Sequence, residues 1–80
     1  MSAHDTFRDT LAAQYRDLFA TDPEYAYSAS IRTPEALAEK MTAGLATGRA
    51  NKEGAGIRRT CKALGIAYTH KAISAYLAQP

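Results

Sequence analysis

Apolar residues recur at a helical period through most of this 80-residue chain, and this repeat constrains the fold more than any other feature. The first stripe predicts an amphipathic helix over residues 5–20, capped by Asp5 or Thr6. Its members are Phe7, Leu11, Tyr15, Leu18 and Phe19.

A second helix is predicted over residues 33–47. Thr33 is a suitable N-cap, and proline follows it at the first helical position. The apolar seam consists of Leu37, Met41 and Leu45. Gly48 is expected just beyond the end in a left-handed conformation, and Gly44 is expected to admit a neighbouring helix at close range.

The stretch RANKEGAG then predicts a flexible loop that presents Arg49 and Lys52. A third helix is predicted over residues 56–64, with an inward seam of Ile57, Cys61 and Leu64, and Gly65 ends it. Thr69 is expected to cap a final helix whose seam is Ala72, Ile73, Tyr76 and Leu77. Residues 22–32 fit a short helix or an extended connection, and both interpretations stay open.

These elements predict a single all-α domain over residues 1–80, a compact bundle of four to five short helices. The last two are expected in a helix-turn-helix-like arrangement. In the compact DNA-reading motif the next buried position follows the turn glycine by about six residues. Here Ile73 follows Gly65 by eight, so the turn is longer than in that motif. A core this thin is compatible with a monomer or a homodimer.

Several functional classes are excluded at this level. The single cysteine, Cys61, rules out a disulfide within the chain, and its place on an apolar seam favours a structural, unreactive thiol. The sequence offers no metal-ligand spacing, phosphate-binding glycine loop or nucleophile paired with a base, so we expect neither a cofactor nor an enzyme. Without a signal peptide or a long apolar run, we expect a soluble cytoplasmic protein.

Charge is distributed unevenly along the chain. Residues 1–40 contain seven acids and four bases, a net charge of −3, whereas residues 41–80 contain six bases and one acid, a net charge of +5. On the third helix, Arg58, Arg59 and Lys62 form an arc nearly opposite the apolar seam, so burial of the seam directs all three outward. We predict that an anionic partner contacts Arg49, Lys52, Arg58, Arg59, Lys62, Tyr68, His70 and Lys71.

Residues 37–77 resemble a small family of proteins encoded by bacteriophages and prophages. The matching pattern is a Met/Leu helix followed by ANK-E-G, then TCKALGI, then T-KAI-AYL. The chain as a whole is similar to anti-CRISPR proteins of the type I-C class. Such proteins share no common motif, so the resemblance transfers no site residues to this chain.

The resemblance implies a non-enzymatic inhibitor in the cytoplasm of an infected bacterial host, which binds a CRISPR-Cas surveillance complex and blocks its binding of target DNA. The acidic half could mimic DNA phosphates, or the basic half could contact the complex or its nucleic acid. Because bases interrupt the acids, we favour the basic half. The alternative is a DNA-binding regulator of phage genes that uses the last two helices.

Overall fold

A computed structural model describes residues 2–22 and 33–80, which form four helices and no strand. They are α1 (Ala3–Thr21), α2 (Pro34–Ala46), α3 (Ala55–Leu64) and α4 (His70–Leu77). The prediction of an all-α bundle is confirmed. A short helix and an extended connection were the two alternatives for residues 22–32. Of these residues only Asp22 is within the described ranges.

Hydroxyl side chains cap three of the four described helices, whereas α3 follows Gly54 without a side-chain cap. Thr33 and Thr69 cap α2 and α4 as predicted, each accepting a hydrogen bond from the backbone N–H three residues ahead. The predicted cap of α1 is wrong, because Ser2 Oγ accepts from Asp5 N at 3.0 Å and the helix begins at Ala3. Asp5 and Thr6 therefore lie inside the first turn, where the Thr6 hydroxyl donates to the Ser2 carbonyl.

Two glycines end α2 and α3 in the same way. Gly48 and Gly65 adopt φ values of 73° and 69°, the left-handed conformation predicted for Gly48. In each case the next residue donates its N–H to the carbonyl five residues earlier, from Arg49 to Gly44 and from Ile66 to Cys61. These bonds satisfy helix carbonyls that otherwise lack a partner, and they turn the chain sharply after each helix.

The core is built around α1, which packs against the other three helices. Its buried residues are Phe7, Leu11, Ala12, Tyr15 and Leu18. The other helices contribute Ala38, Thr42, Leu45, Ile57, Thr60, Cys61, Ile73 and Leu77. α3 packs chiefly on α1, and α4 packs on α1 and α2, whereas direct packing between α3 and α4 is slight. The last two helices thus follow each other through a turn, but α1 rather than their own interface fixes their positions.

Two glycines inside helices permit close approach. A Cβ on Gly56 would lie 2.5 Å from Tyr15 Cε1, so the absence of a side chain lets the Tyr15 ring rest directly on α3. A Cβ on Gly44 would lie 2.7 Å from Ala50 Cβ. The neighbour of Gly44 is therefore the returning loop and not the helix that the sequence predicted.

Ion pairs join α1 to its neighbours at the surface. Arg16 contacts Glu35 of α2, and Asp17 contacts Arg59 of α3, both at 3.0 Å. The pKa of Glu35 is lowered by hydrogen bonding to its own backbone N–H and, secondarily, by Arg16. All four side chains are exposed, so these pairs orient the helices more than they stabilise them.

The contact between Tyr15 and Gly56 predicts that alanine at position 56 lowers stability, whereas helix propensity alone predicts that it raises stability. Gly56→Ala is expected to lower the free energy of unfolding by about 1–3 kcal/mol, because the new methyl group overlaps the ring. Propensity alone favours alanine by up to about 1 kcal/mol. Urea unfolding measures the difference, with Ala63→Gly as the control at an exposed position of the same helix. A more stable Gly56→Ala protein contradicts the packing described here.

Candidate functional site

Tyr68 lies in the turn between α3 and α4 and reaches back to the loop before α3. Gly65 reverses the chain at the end of α3, and Thr69 starts α4, so Tyr68 occupies the short connection between them. The half-buried side chain donates its hydroxyl hydrogen to the Lys52 carbonyl at 2.8 Å. One aromatic residue thereby joins two connections that lie 16 positions apart in the chain.

Two cations lie against the same aromatic ring. Lys52 Nζ is 4.2 Å from the Tyr68 ring centroid, and the Arg58 guanidinium carbon is 4.9 Å from it. Both distances are within the range at which a cation is attracted to the π electrons of a ring. We call Lys52, Arg58 and Tyr68 the Tyr68 cluster. The ring holds two positive charges near each other before any partner binds.

The loop that carries Lys52 is tied down along its length. Arg49 N and Ala50 N both donate to the Gly44 carbonyl, at 2.8 and 3.0 Å. Asn51 Oδ1 accepts from Glu53 N at 3.1 Å, and the Tyr68 hydroxyl bond follows at Lys52. Composition predicted a flexible loop, but these bonds give it a defined path.

The three basic residues predicted to point outward from α3, Arg58, Arg59 and Lys62, are exposed as the helical wheel indicates, yet their surroundings differ. Arg59 pairs with Asp17 of α1, whereas the guanidinium of Arg58 lies over the ring of Tyr68. The angle of about 100° between successive helical residues accounts for this difference. Lys62 follows Arg58 by one helical turn, so it lies on the same face of α3 as the Tyr68 cluster.

The remaining predicted residues are less closely connected to this cluster. Arg49, His70 and Lys71 are exposed, and the structure places none of them in a hydrogen bond through its side chain within the described ranges. Arg49 instead lines a cleft with Lys40. Lys40 was missed at the sequence level because its position in the chain groups it with the acidic half.

Charge compensation differs sharply between the two halves. Among residues 2–22 and 33–80, each arginine of α1 has an acidic partner: Arg8 contacts Asp5 and Asp9, and Arg16 contacts Glu35. Within the same ranges, five cations have no carboxylate at ion-pair distance, namely Lys40, Arg49, Arg58, Lys62 and Lys71. The uncompensated positive charge therefore lies almost wholly in the C-terminal half.

Cys61 is buried, with 1% of its surface exposed. Burial raises the pKa of the thiol, and the positive charge of Lys52 opposes this more weakly. The thiol is therefore protonated at neutral pH and unsuited to nucleophilic attack.

The described part of the chain contains no group of three or more metal-ligating side chains. None of its helices has the length and apolar character needed to cross a membrane. The chain matches no protein-family model, no curated protein and no solved structure.

The hydroxyl of Tyr68 gives a second prediction. Tyr68→Phe keeps the ring for the two cations but removes the bond to the Lys52 carbonyl. We expect a loss of about 0.5–1.5 kcal/mol in unfolding free energy, together with faster amide exchange over residues 50–53. Tyr76→Phe is the matched control, because no hydrogen bond is formed by the Tyr76 hydroxyl in the described structure. Equal effects of the two substitutions contradict a role for the Tyr68 bond.

Cys61 gives a pH-dependent prediction. Because burial raises the thiol pKa, its contribution to stability is complete below the ordinary cysteine pKa of about 8.5 and is lost as pH rises through the raised value. The free energy of unfolding should therefore fall more steeply above pH 9 in the native protein than in Cys61→Ala. Lysines and tyrosines titrate in both proteins, so the difference between the two reports the thiol. Alkylation by iodoacetamide at pH 8 should be slow until denaturant is added. Rapid alkylation of the folded protein contradicts burial of the thiol.

Proposed function

We propose that this chain is a small non-enzymatic binding protein whose basic arc docks on an anionic partner. The basic arc is defined here as the Tyr68 cluster together with Lys62. Following the resemblance to phage anti-CRISPR proteins, the proposed partner is a CRISPR-Cas surveillance complex, whose capture of target DNA is blocked. The observation that carries the proposal is that Arg58 and Lys62 of the basic arc have no carboxylate at ion-pair distance within the described residues, whereas Lys52 contacts Glu53 at 3.4 Å.

Positive charges of this kind favour association with anions for two reasons. An unpaired cation does not have to break an internal ion pair before it contacts a partner, so no internal attraction is lost when it binds an anion. Arg58 and Lys52 are also held against the Tyr68 ring, which lowers the side-chain entropy lost on binding. The basic arc is therefore partly organised for contact in the free protein.

The ion pairs of the N-terminal half argue against the competing mechanism of DNA mimicry. A phosphate mimic needs carboxylates that are free to contact the basic groove of the complex. Here Asp5 and Asp9 contact Arg8, Asp17 contacts Arg59, and Glu35 contacts Arg16. Neutralisation by neighbouring arginines weakens the negative field that such a mimic requires.

The alternative of a DNA-binding regulator rests on the exposed His70 and Lys71 at the start of α4. The structure gives this alternative less support, because Thr69 Oγ1 is engaged in the helix cap and α3 packs little against α4. A helix-turn-helix depends on its own helix pair to present the second helix to the groove. We therefore rank protein-complex binding first.

The test of this proposal is retention of the chain by an immobilised type I-C surveillance complex, with and without target DNA. We expect the native protein to be retained and to prevent DNA binding at near-stoichiometric amounts. Arg58→Ala combined with Lys62→Ala should weaken retention by about tenfold or more, because two charged contacts are lost. Arg59→Ala is the matched control and should retain nearly full binding, since Asp17 already compensates its charge.

Two results contradict the proposal. If the complex does not retain the native protein, the partner is wrong. If the double variant binds as well as the native protein while its melting temperature is unchanged, the contact surface is wrong. Binding of the isolated chain to duplex DNA, with affinity that falls steeply as salt rises, favours the regulator instead.

A further inference from the structure

A cleft of about 420 Å³ lies beside the C-terminal half of α2. One wall is α2 itself, where Lys40, Met41 and Gly44 line it, and the other wall is the loop that begins at Arg49 and Ala50. The basic arc does not contribute to its lining. The cleft is therefore a second surface, separate from the one proposed to meet the surveillance complex.

The loop that forms the second wall of the cleft is already ordered in the free protein. Ala50 packs on Gly44 so closely that a methyl group there would overlap it, and Arg49 N and Ala50 N both bond to the Gly44 carbonyl. At its far end the loop is held by the bond from the Tyr68 hydroxyl to the Lys52 carbonyl. A ligand thus pays little conformational entropy to order this wall, which is typical of binding sites.

The lining combines an apolar interior with positive charge at the edge. Met41, Gly44 and Ala50 supply the apolar surface, and the flexible thioether of Met41 can adapt to different shapes. Lys40 and Arg49 have no carboxylate partner within the described residues, whereas the acidic lining residue Glu53 is engaged by Lys52 at 3.4 Å. The net character of the edge is therefore cationic.

This combination selects among ligand classes. A nucleobase is usually held by stacking on an aromatic ring, and none of the cleft-lining residues within 2–22 and 33–80 is aromatic. An apolar side chain fits the interior, and carboxylates on either side of it can reach the ammonium group of Lys40 and the guanidinium group of Arg49. The chemistry matches a peptide with an apolar residue between acidic residues.

We propose that this cleft binds the apolar side chain of an acidic peptide segment, with Lys40 and Arg49 contacting the flanking carboxylates. This inference goes beyond the proposed function, because it involves a different surface and holds for any protein partner that presents such a segment.

The test is a titration of the ¹⁵N-labelled full chain with the blocked pentapeptide DELDE, followed by amide chemical shifts. We expect saturable shifts at Gly44, Ala50 and Asn51. The pentapeptide DEADE should bind about tenfold or more weakly, because alanine buries much less apolar surface in the cleft than leucine does. Arg49→Glu should weaken binding of DELDE by a similar factor.

Lys71→Glu is the matched control for Arg49→Glu, since it makes the same charge change at an exposed cation outside the cleft. It should leave the titration nearly unchanged, and the amide spectra of both variants report whether the fold is preserved. The inference is overturned if DELDE causes no saturable shift at these amides, if DEADE binds equally well, or if a short oligothymidylate binds the cleft more tightly. Retention by the surveillance complex is measured separately, so either proposal can fail while the other stands.

Discussion

Packing of the apolar stripe of α1 against the other helices is the interaction on which the rest of the structure depends. α2, α3 and α4 each contact α1, while α3 and α4 have little direct contact with each other. The Tyr15 ring rests directly on Gly56, and this contact allows α1 and α3 to pack closely. Because α3 carries Arg58 and Lys62, the position of the basic arc follows from the packing of a helix that contributes no residue to it.

Tyr68 has a comparable role on a smaller scale. Its hydroxyl fixes the backbone of the loop before α3, and its ring holds cations from that loop and from α3. The same bond supports the loop wall of the cleft beside α2. Tyr68, which the sequence predicts to contact a partner, is thus half-buried and connects the two candidate surfaces. Its contribution to binding is therefore inseparable from its contribution to local structure.

Local signals were sufficient to predict most of the fold. Thr33, Thr69, Gly48 and Gly65 act on backbone groups only a few residues away, so their roles can be inferred from the sequence alone. Contacts between distant residues could not be inferred in this way. The bond from Arg59 to Asp17 spans 42 positions, and it separates Arg59 from the two basic residues with which the helical wheel groups it. The cleft likewise arises from a loop that folds back on Gly44.

The central position of α1 also affects how the protein is made. α1 is synthesised before the helices that cover it, and at about 5–20 residues per second it waits several seconds for residues 55–77. During that interval its apolar stripe has no native partner from α3 or α4. Final folding must therefore follow the emergence of residues 55–77 from the ribosome, and until then the apolar stripe of α1 lacks much of the surface that buries it in the folded protein.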